Sequence, residues 1–191
     1  KIKNRLELKK VLATVLIDRE FKENLEKSFR PRRITLDTIL SNISLTFNKK
    51  LQLYSEEIKR KNEILGTSKD DEILDFIDER LLNLSYSLAN ERSLWLSRIT
   101  NIADKVLKKL APTNSLDFNI QSDSLNSENL KTQLKSNRMK EKMTGKCLTG
   151  SHKDQISFVL NGFDTFEFGS EGEKKSVSMA LKISEILLLK K

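Results

Sequence analysis

From Thr67 to Ala111 the chain contains neither glycine nor proline. Glycine loosens a helix and proline breaks its hydrogen bonding, so a run without either can continue one element. Apolar residues recur through this run at helical spacing. Ile73, Ile77, Leu81, Leu84 and Leu88 form one stripe, and Trp95, Ile99, Ile102, Val106 and Leu110 continue it after a phase slip near Asn90. About 40 helical residues extend roughly 60 Å at 1.5 Å per residue, and Pro112 ends them. Ser68 with Asp71 has the spacing of a capping box at the start. A preceding helix is expected through Leu36, Ile39, Leu40 and Ile43, and on through Phe47, Leu51, Tyr54 and Ile58 to Leu65. Gly66 is its expected stop. Two long helices joined by a short turn imply an antiparallel coiled-coil-like arm, or a compact helical bundle.

The flanks differ from this middle. "VLATVLI", residues 11–17, fits a buried strand or a helix equally. After Pro112, "SLDFNI" alternates as a strand does, and Ser127 has the chemistry to cap a short helix through Leu130 and Leu134. Ile156, Phe158 and Leu160 alternate up to Asn161-Gly162, a strong hairpin signal, with Phe166 and Phe168 expected on the return strand. A broadly apolar helix is expected from about Lys174 to Leu189. The expected class is α+β, with the long antiparallel helical arm inserted into a mixed α/β head. The expected division is 1–46 as a head segment leading into the arm, 47–111 as the arm, and 112–191 as a second head segment.

The charge is lopsided. The chain carries 35 Lys and Arg against 27 Asp and Glu, a net +8. Residues 1–33 and 131–146 hold most of the excess, while 70–92 is acidic. A basic surface makes nucleic acid a natural partner. The phosphate-contact candidates are Arg30, Arg32, Arg33, Lys135, Arg138, Lys140 and Lys142; solvated surface charge is the alternative for each. The acidic segment is expected to face away from DNA or to meet a basic partner. One cysteine, Cys147, cannot form an internal disulfide and reads as a small core residue in a reducing, cytoplasmic setting. No apolar run is long enough to span a membrane, and no spacing marks a metal site.

"GSEGEKKS", residues 169–176, nearly spells the phosphate loop G-x-x-x-x-G-K-S. The second glycine, which lets that loop wrap a phosphate, is here Lys174. Two readings remain. Ser170 and Glu173 fit a capping box at a helix start. Equally, Ser170, Gly172 and the exposed amides of a helix N-terminus fit an anion.

Four stretches in order resemble the RecF family of ABC- and SMC-like ATPases: "RPRRITLDTILSNI", "YSEEIKRKNEIL", "LTGSHKDQISFVLNG" and "FGSEGEKKSVSMALKISE". The similarity spans about residues 28 to 189. The chain departs from the family pattern at Ser151, where proline is usual, at Lys153 for arginine, at Gln155 for aspartate and at Lys174 for glutamine. The resemblance implies that the last stretch is an ABC signature. In that role Ser170, Gly172, Glu173 and Lys174 would contact ATP held by a second protomer. His152 reads first as a hydrogen-bonded structural loop residue; the resemblance also implies that this is part of a split ATPase head and that His152, Lys153 and Asp154 could couple two heads. ATP and Mg2+ would serve the intact parent, a weak DNA-dependent ATPase. The Walker A and B motifs are expected in flanking sequence, so this piece alone should neither hold nucleotide nor hydrolyse it. The implied partners are gapped DNA, RecR, RecO and an ATP-dependent second copy, in recombinational repair, replication restart and the SOS response. No membrane is expected. A non-catalytic helical interaction module, or the head of another SMC-like ATPase, remains the alternative.

Overall fold

The computed structural model describes residues 19–190. The reading of residues 11–17 lies outside them. The helices are α1 (Arg19–Glu26), α2 (Phe29–Ile43), α3 (Leu45–Gly66), α4 (Asp71–Lys108), α5 (Ser127–Thr144), α6 (Thr165–Phe168) and α7 (Glu171–Leu189). The strands are β1 (Leu116–Gln121), β2 (Gln155–Leu160) and β3 (Phe163–Asp164), in the order β1-β2-β3. Short 3-10 turns lie at Asp123–Leu125 and Ser151–Lys153. The fold is therefore mostly helical with one small sheet.

The chain forms two compact units. The described part of the first comprises 19–35, 96–119 and 157–190; the second comprises 36–95 and 120–156. The divisions fall inside α2 and α4, and residues 120–156 join the helical unit.

In the helical unit α3 and α4 run antiparallel. Thr46 Oγ1 donates to Glu91 (2.8 Å), Glu57 pairs with Arg80 (2.6 Å) and Lys61 with Asp78 (2.6 Å). The expected hairpin is present, but not as a free two-helix arm. Helix α5 is tied to both: Lys61 also pairs with Glu141 (2.6 Å), and Arg138 pairs with Asp78 (2.7 Å) and Asp75 (2.8 Å). The result is a compact helical unit, the second of the two forms open to the sequence.

The buried face of α4 keeps a regular three-four spacing: Leu74, Ile77, Leu81, Ser85, Leu88, Arg92, Leu96, Ile99, Ala103 and Leu107. There is no phase slip at Asn90. Ser85 and Arg92 occupy stripe positions, and being polar they hide the continuity. Ile73 and Leu110 are exposed instead.

Local chemistry moves several boundaries. Ser44 caps α3 by accepting from Phe47 N (3.2 Å), which splits the expected first helix in two. Gly66 is not the left-handed stop. Lys69 takes that role, at φ 54°, and its N–H donates to Ile64 O (2.9 Å). Asp70, not Ser68, caps α4, accepting from Ile73 N (3.1 Å). The Asn161-Gly162 hairpin forms with both residues at positive φ, 53° and 94°, which the two-residue turn requires. Its return strand stops at Asp164, whose carboxylate accepts from Phe166 N (2.8 Å) and Glu167 N (3.1 Å) and starts α6. Phe166 and Phe168 are therefore helical, not strand residues.

Candidate functional site

The signature-like turn lies in the first unit. Ser170 is the N-cap of α7, and both halves of its capping box form. Ser170 Oγ accepts from Glu173 N (3.3 Å). Glu173 Oε2 accepts from Ser170 N (2.8 Å) and from Ser170 Oγ (2.7 Å). These bonds hold the Glu173 carboxyl below its usual range. Lys22 pairs with Glu171 (2.7 Å) on the same turn. Ser170, Glu171 and Gly172 are exposed; Glu173 and Lys174 are half-buried.

This geometry tests the turn as an anion seat. Two donors of Ser170 already converge on one negatively charged oxygen, that of Glu173. The donor set therefore suits a carboxylate or phosphate oxygen at the positive end of a helix. A phosphate arriving there must displace Glu173. Of the four signature residues, Glu173 fits as the internal occupant, not as a ligand to phosphate. Gly172 has an ordinary helical backbone, and an added Cβ would meet nothing closer than Ser170 Oγ at 4.0 Å. The chain's own packing does not require glycine there.

The second site, Thr149–Gln155, lies in the helical unit and is braced on every side. Arg92, only 1% exposed, makes a two-pronged pair with Asp37 (Nε–Oδ1 2.8 Å, Nη2–Oδ2 3.0 Å). It also donates to Asp154 and to Ser151 O (3.3 Å). Burial works against the Arg92 charge, but Asp37 and Asp154 outweigh it and raise its pKa. Asp154 further accepts from Ser122 Oγ. Ser151 Oγ donates to Ser85 O (2.8 Å). His152 is equally fixed. Its Nε2 faces Cys147 O (3.1 Å), which can only accept, so Nε2 carries the proton and Nδ1 accepts from the Tyr54 hydroxyl (2.6 Å). Burial pushes the Tyr54 hydroxyl well above its ordinary pKa.

Of the expected trio, His152 and Asp154 are held by hydrogen bonds within the chain, and Lys153 alone is exposed. Lys153 borders an open cavity of about 370 Å3. No apolar pattern singles out Arg92. Its helical phase in α4 was a usable signal, had polar residues been allowed on the stripe.

The basic candidates divide sharply. Arg32 and Arg33 are buried, 2% and 6% exposed. Arg32 donates to Leu25 O (2.7 Å), pairs with Asp164 (3.1 Å) and sits over the rings of Phe29 and Phe166. Burial removes both arginines from any surface that could meet a phosphate backbone. Arg138 and Lys142 are engaged by the acidic end of α4, Lys142 pairing with Asp71 at 2.6 Å. The acidic segment thus meets a basic partner within its own chain. Arg30, Lys135 and Lys140 remain exposed. Among the described residues no His, Cys, Asp and Glu cluster could hold a metal ion, and no helix is long and apolar enough to cross a membrane.

No family model matches the chain. Curated relatives do. DNA replication and repair protein RecF of Staphylococcus aureus strains JH9 and Newman is 28% identical over 173 residues, covering 83% of this chain and 47% of the relative. Two solved structures share the fold. The recombination mediator protein RecF-ATPrS superposes with a TM-score of 0.84 over 92% of this chain, and RecF-ATP with 0.82 over 93%, each at 22% identity. The chain is RecF-like. This RecF-like chain spans about half the length of the curated relatives it matches, and the two structural relatives are covered to 51%. Two of the four RecF-like stretches carry the sites described here: one supplies the capped start of α7, the other the braced Thr149–Gln155 loop.

Proposed function

We propose that this chain is the part of a RecF-like ATPase that carries its ABC signature, and that Ser170 and Gly172 complete an ATP site held mainly by a second protomer. The observation that carries this reading is the convergence of Ser170 N and Oγ on one anionic oxygen at the exposed start of α7. Bound ATP would supply the γ-phosphate that replaces the Glu173 carboxylate. Lys174, the next residue along, would add a cation. Ser170 supplies the donors and Lys174 the positive potential, while Glu173 is the anion they hold until phosphate arrives. The chain itself therefore acts by gripping phosphate and joining two protomers.

In the parent this contact makes an ATP-dependent DNA clamp in the cytoplasm. The parent would be a weak DNA-dependent ATPase needing Mg2+, acting at gapped DNA with RecR and RecO to load recombinase. DNA contact would be mainly to phosphate, through Arg30, Lys135 and Lys140, and would weaken steeply with salt.

The test is Ser170→Arg in a full-length RecF carrying this segment. ATP binding should stay near wild type while ATP-driven dimerisation, followed by sedimentation, is lost. A variant that dimerises normally sinks the reading. The 191 residues alone should show no ATP turnover.

A further inference from the structure

The cavity beside Lys153 lies wholly within the helical unit and is not absorbed by the signature site. Its volume, about 370 Å3, falls in the range of small-ligand pockets. Its wall is rich in side-chain amides: Gln121, Gln133, Asn137 and Gln155. Asn137 Nδ2 donates to Gln133 Oε1 (3.3 Å) and Thr149 Oγ1 (2.9 Å), which aligns the Gln133 and Asn137 amides. Asn137 Oδ1 and Gln133 Nε2 are left over. Gln121 and Gln155 make no side-chain hydrogen bond among the described residues. Leu148 is the apolar member of the lining, and Lys153 stands at the rim.

This donor set selects its ligand. Two carboxylates, Asp123 and Asp154, also border the cavity, so a bare phosphate would be repelled. Both are already engaged, Asp123 by Asn129 Nδ2 (3.0 Å) and Asp154 by Arg92 and Ser122. What the pocket offers is several amides, each both donor and acceptor. That is the chemistry that reads a planar edge with alternating donors and acceptors. A nucleobase has such an edge, and asparagine and glutamine pair with base edges in this manner. An unstacked base has it exposed.

We propose that this pocket takes one unpaired base of a single-stranded or gapped DNA, with Lys153 on the adjoining phosphate. The proposal rests on the DNA-binding reading above and gives it a structural preference. Lys135 and Lys140 are exposed on α5, the helix that also supplies Gln133 and Asn137, so backbone contacts and base contact come from one element. The braced Thr149–Gln155 loop holds the pocket in shape, so little ordering entropy opposes binding.

Fluorescence anisotropy on the full-length protein carrying this segment, at saturating ATP, tests this with three DNAs: a duplex, a gapped duplex, and the same gapped duplex with abasic residues in the gap. The two gapped DNAs have equal phosphate charge. The intact gap should bind at least fivefold more tightly than the abasic gap. In Gln121→Leu/Gln155→Leu that preference should vanish while duplex affinity holds within twofold. Both residues are exposed, and thermal unfolding checks that the variant is folded. Equal binding of the two gapped DNAs by the wild-type chain overturns the pocket and leaves the DNA reading standing. So does full retention of the preference in the double variant. Absence of binding to all three at low salt overturns both.

Discussion

Arg92 and Asp37, 55 residues apart in sequence, face each other as a buried two-pronged ion pair at 2.8 and 3.0 Å. The same guanidinium reaches Asp154 and Ser151 O, so one α4 side chain fixes both α2 and the Thr149–Gln155 loop. Removing it strands two buried carboxylates. Breaking a buried pair from one side typically costs about 3–5 kcal/mol. Arg92→Leu should therefore lose roughly that much stability in urea unfolding. Arg92→Lys should recover only part of it, because an ammonium cannot present the planar fork. An Arg92→Leu protein as stable as wild type would refute the bracing role.

Gly150 lies in the same loop with a backbone that favours glycine. Its φ is +127°, and an added Cβ would lie 2.5 Å from Tyr54 Oη. Gly150→Ala therefore meets both backbone strain, about 1–3 kcal/mol, and a collision. The two effects separate in a double-mutant comparison. Tyr54→Phe removes the colliding oxygen, so Gly150→Ala should cost less in that background, the remainder being backbone strain. An identical cost in both backgrounds would mean the collision relaxes freely.

Alkaline stability should hinge on Cys147. Burial pushes its thiol up to about 12 from an ordinary 9.0. Between those values the unfolded chain loses the proton while the folded chain keeps it, so stability falls as pH rises, by up to about 1.4 kcal/mol per pH unit. Tyr54, also raised by burial, steepens the loss at higher pH. Burial works to lower the Lys61 ammonium, but Cys147, Asp78 and Glu141 outweigh it and raise it. Its contribution is therefore lost as pH passes that raised value. Cys147→Ala should flatten the slope between pH 9 and 12 by about one proton. Below pH 8 the wild-type thiol should resist alkylation until the protein unfolds. An unchanged slope in the variant would assign the loss elsewhere.

What the sequence disclosed follows from which signals are apolar. Long α3 and α4, the Asn161-Gly162 turn and the capped start of α7 all rest on hydrophobic spacing or on turn and cap chemistry local to a few residues. Arg92, Lys61 and Glu141 do not. Each is almost fully buried and ion-paired with residues far away in sequence, so a reading that ranks polar side chains as surface misplaces them. The same error made Arg32 and Arg33 look like phosphate contacts, and it put a phase break in α4. The helix boundaries shifted for a local reason: several polar residues compete to cap each end, and Ser44, Lys69 and Asp70 won over Gly66 and Ser68.

Gly172 separates a structural turn from a working one. In α7 its backbone is helical and its surroundings are open, so alanine should fit without strain and stabilise the helix by about 0.5–1 kcal/mol, through lower unfolded-chain entropy. If the turn serves only to cap α7, Gly172→Ala is harmless everywhere. If a phosphate and a second protomer approach the backbone there, the added methyl group stands in the way. The expected outcome is a melting temperature equal to or above wild type, with ATP-driven dimerisation of the full-length protein weakened at least tenfold. Glu173→Gln should act in the opposite sense on dimerisation. It weakens the internal charge that holds Ser170, at a cost of a few tenths to about 1 kcal/mol in helix capping, and leaves the donors freer for phosphate. A Gly172→Ala protein that dimerises like wild type, measured by sedimentation at saturating ATP, would leave the turn with a capping role alone.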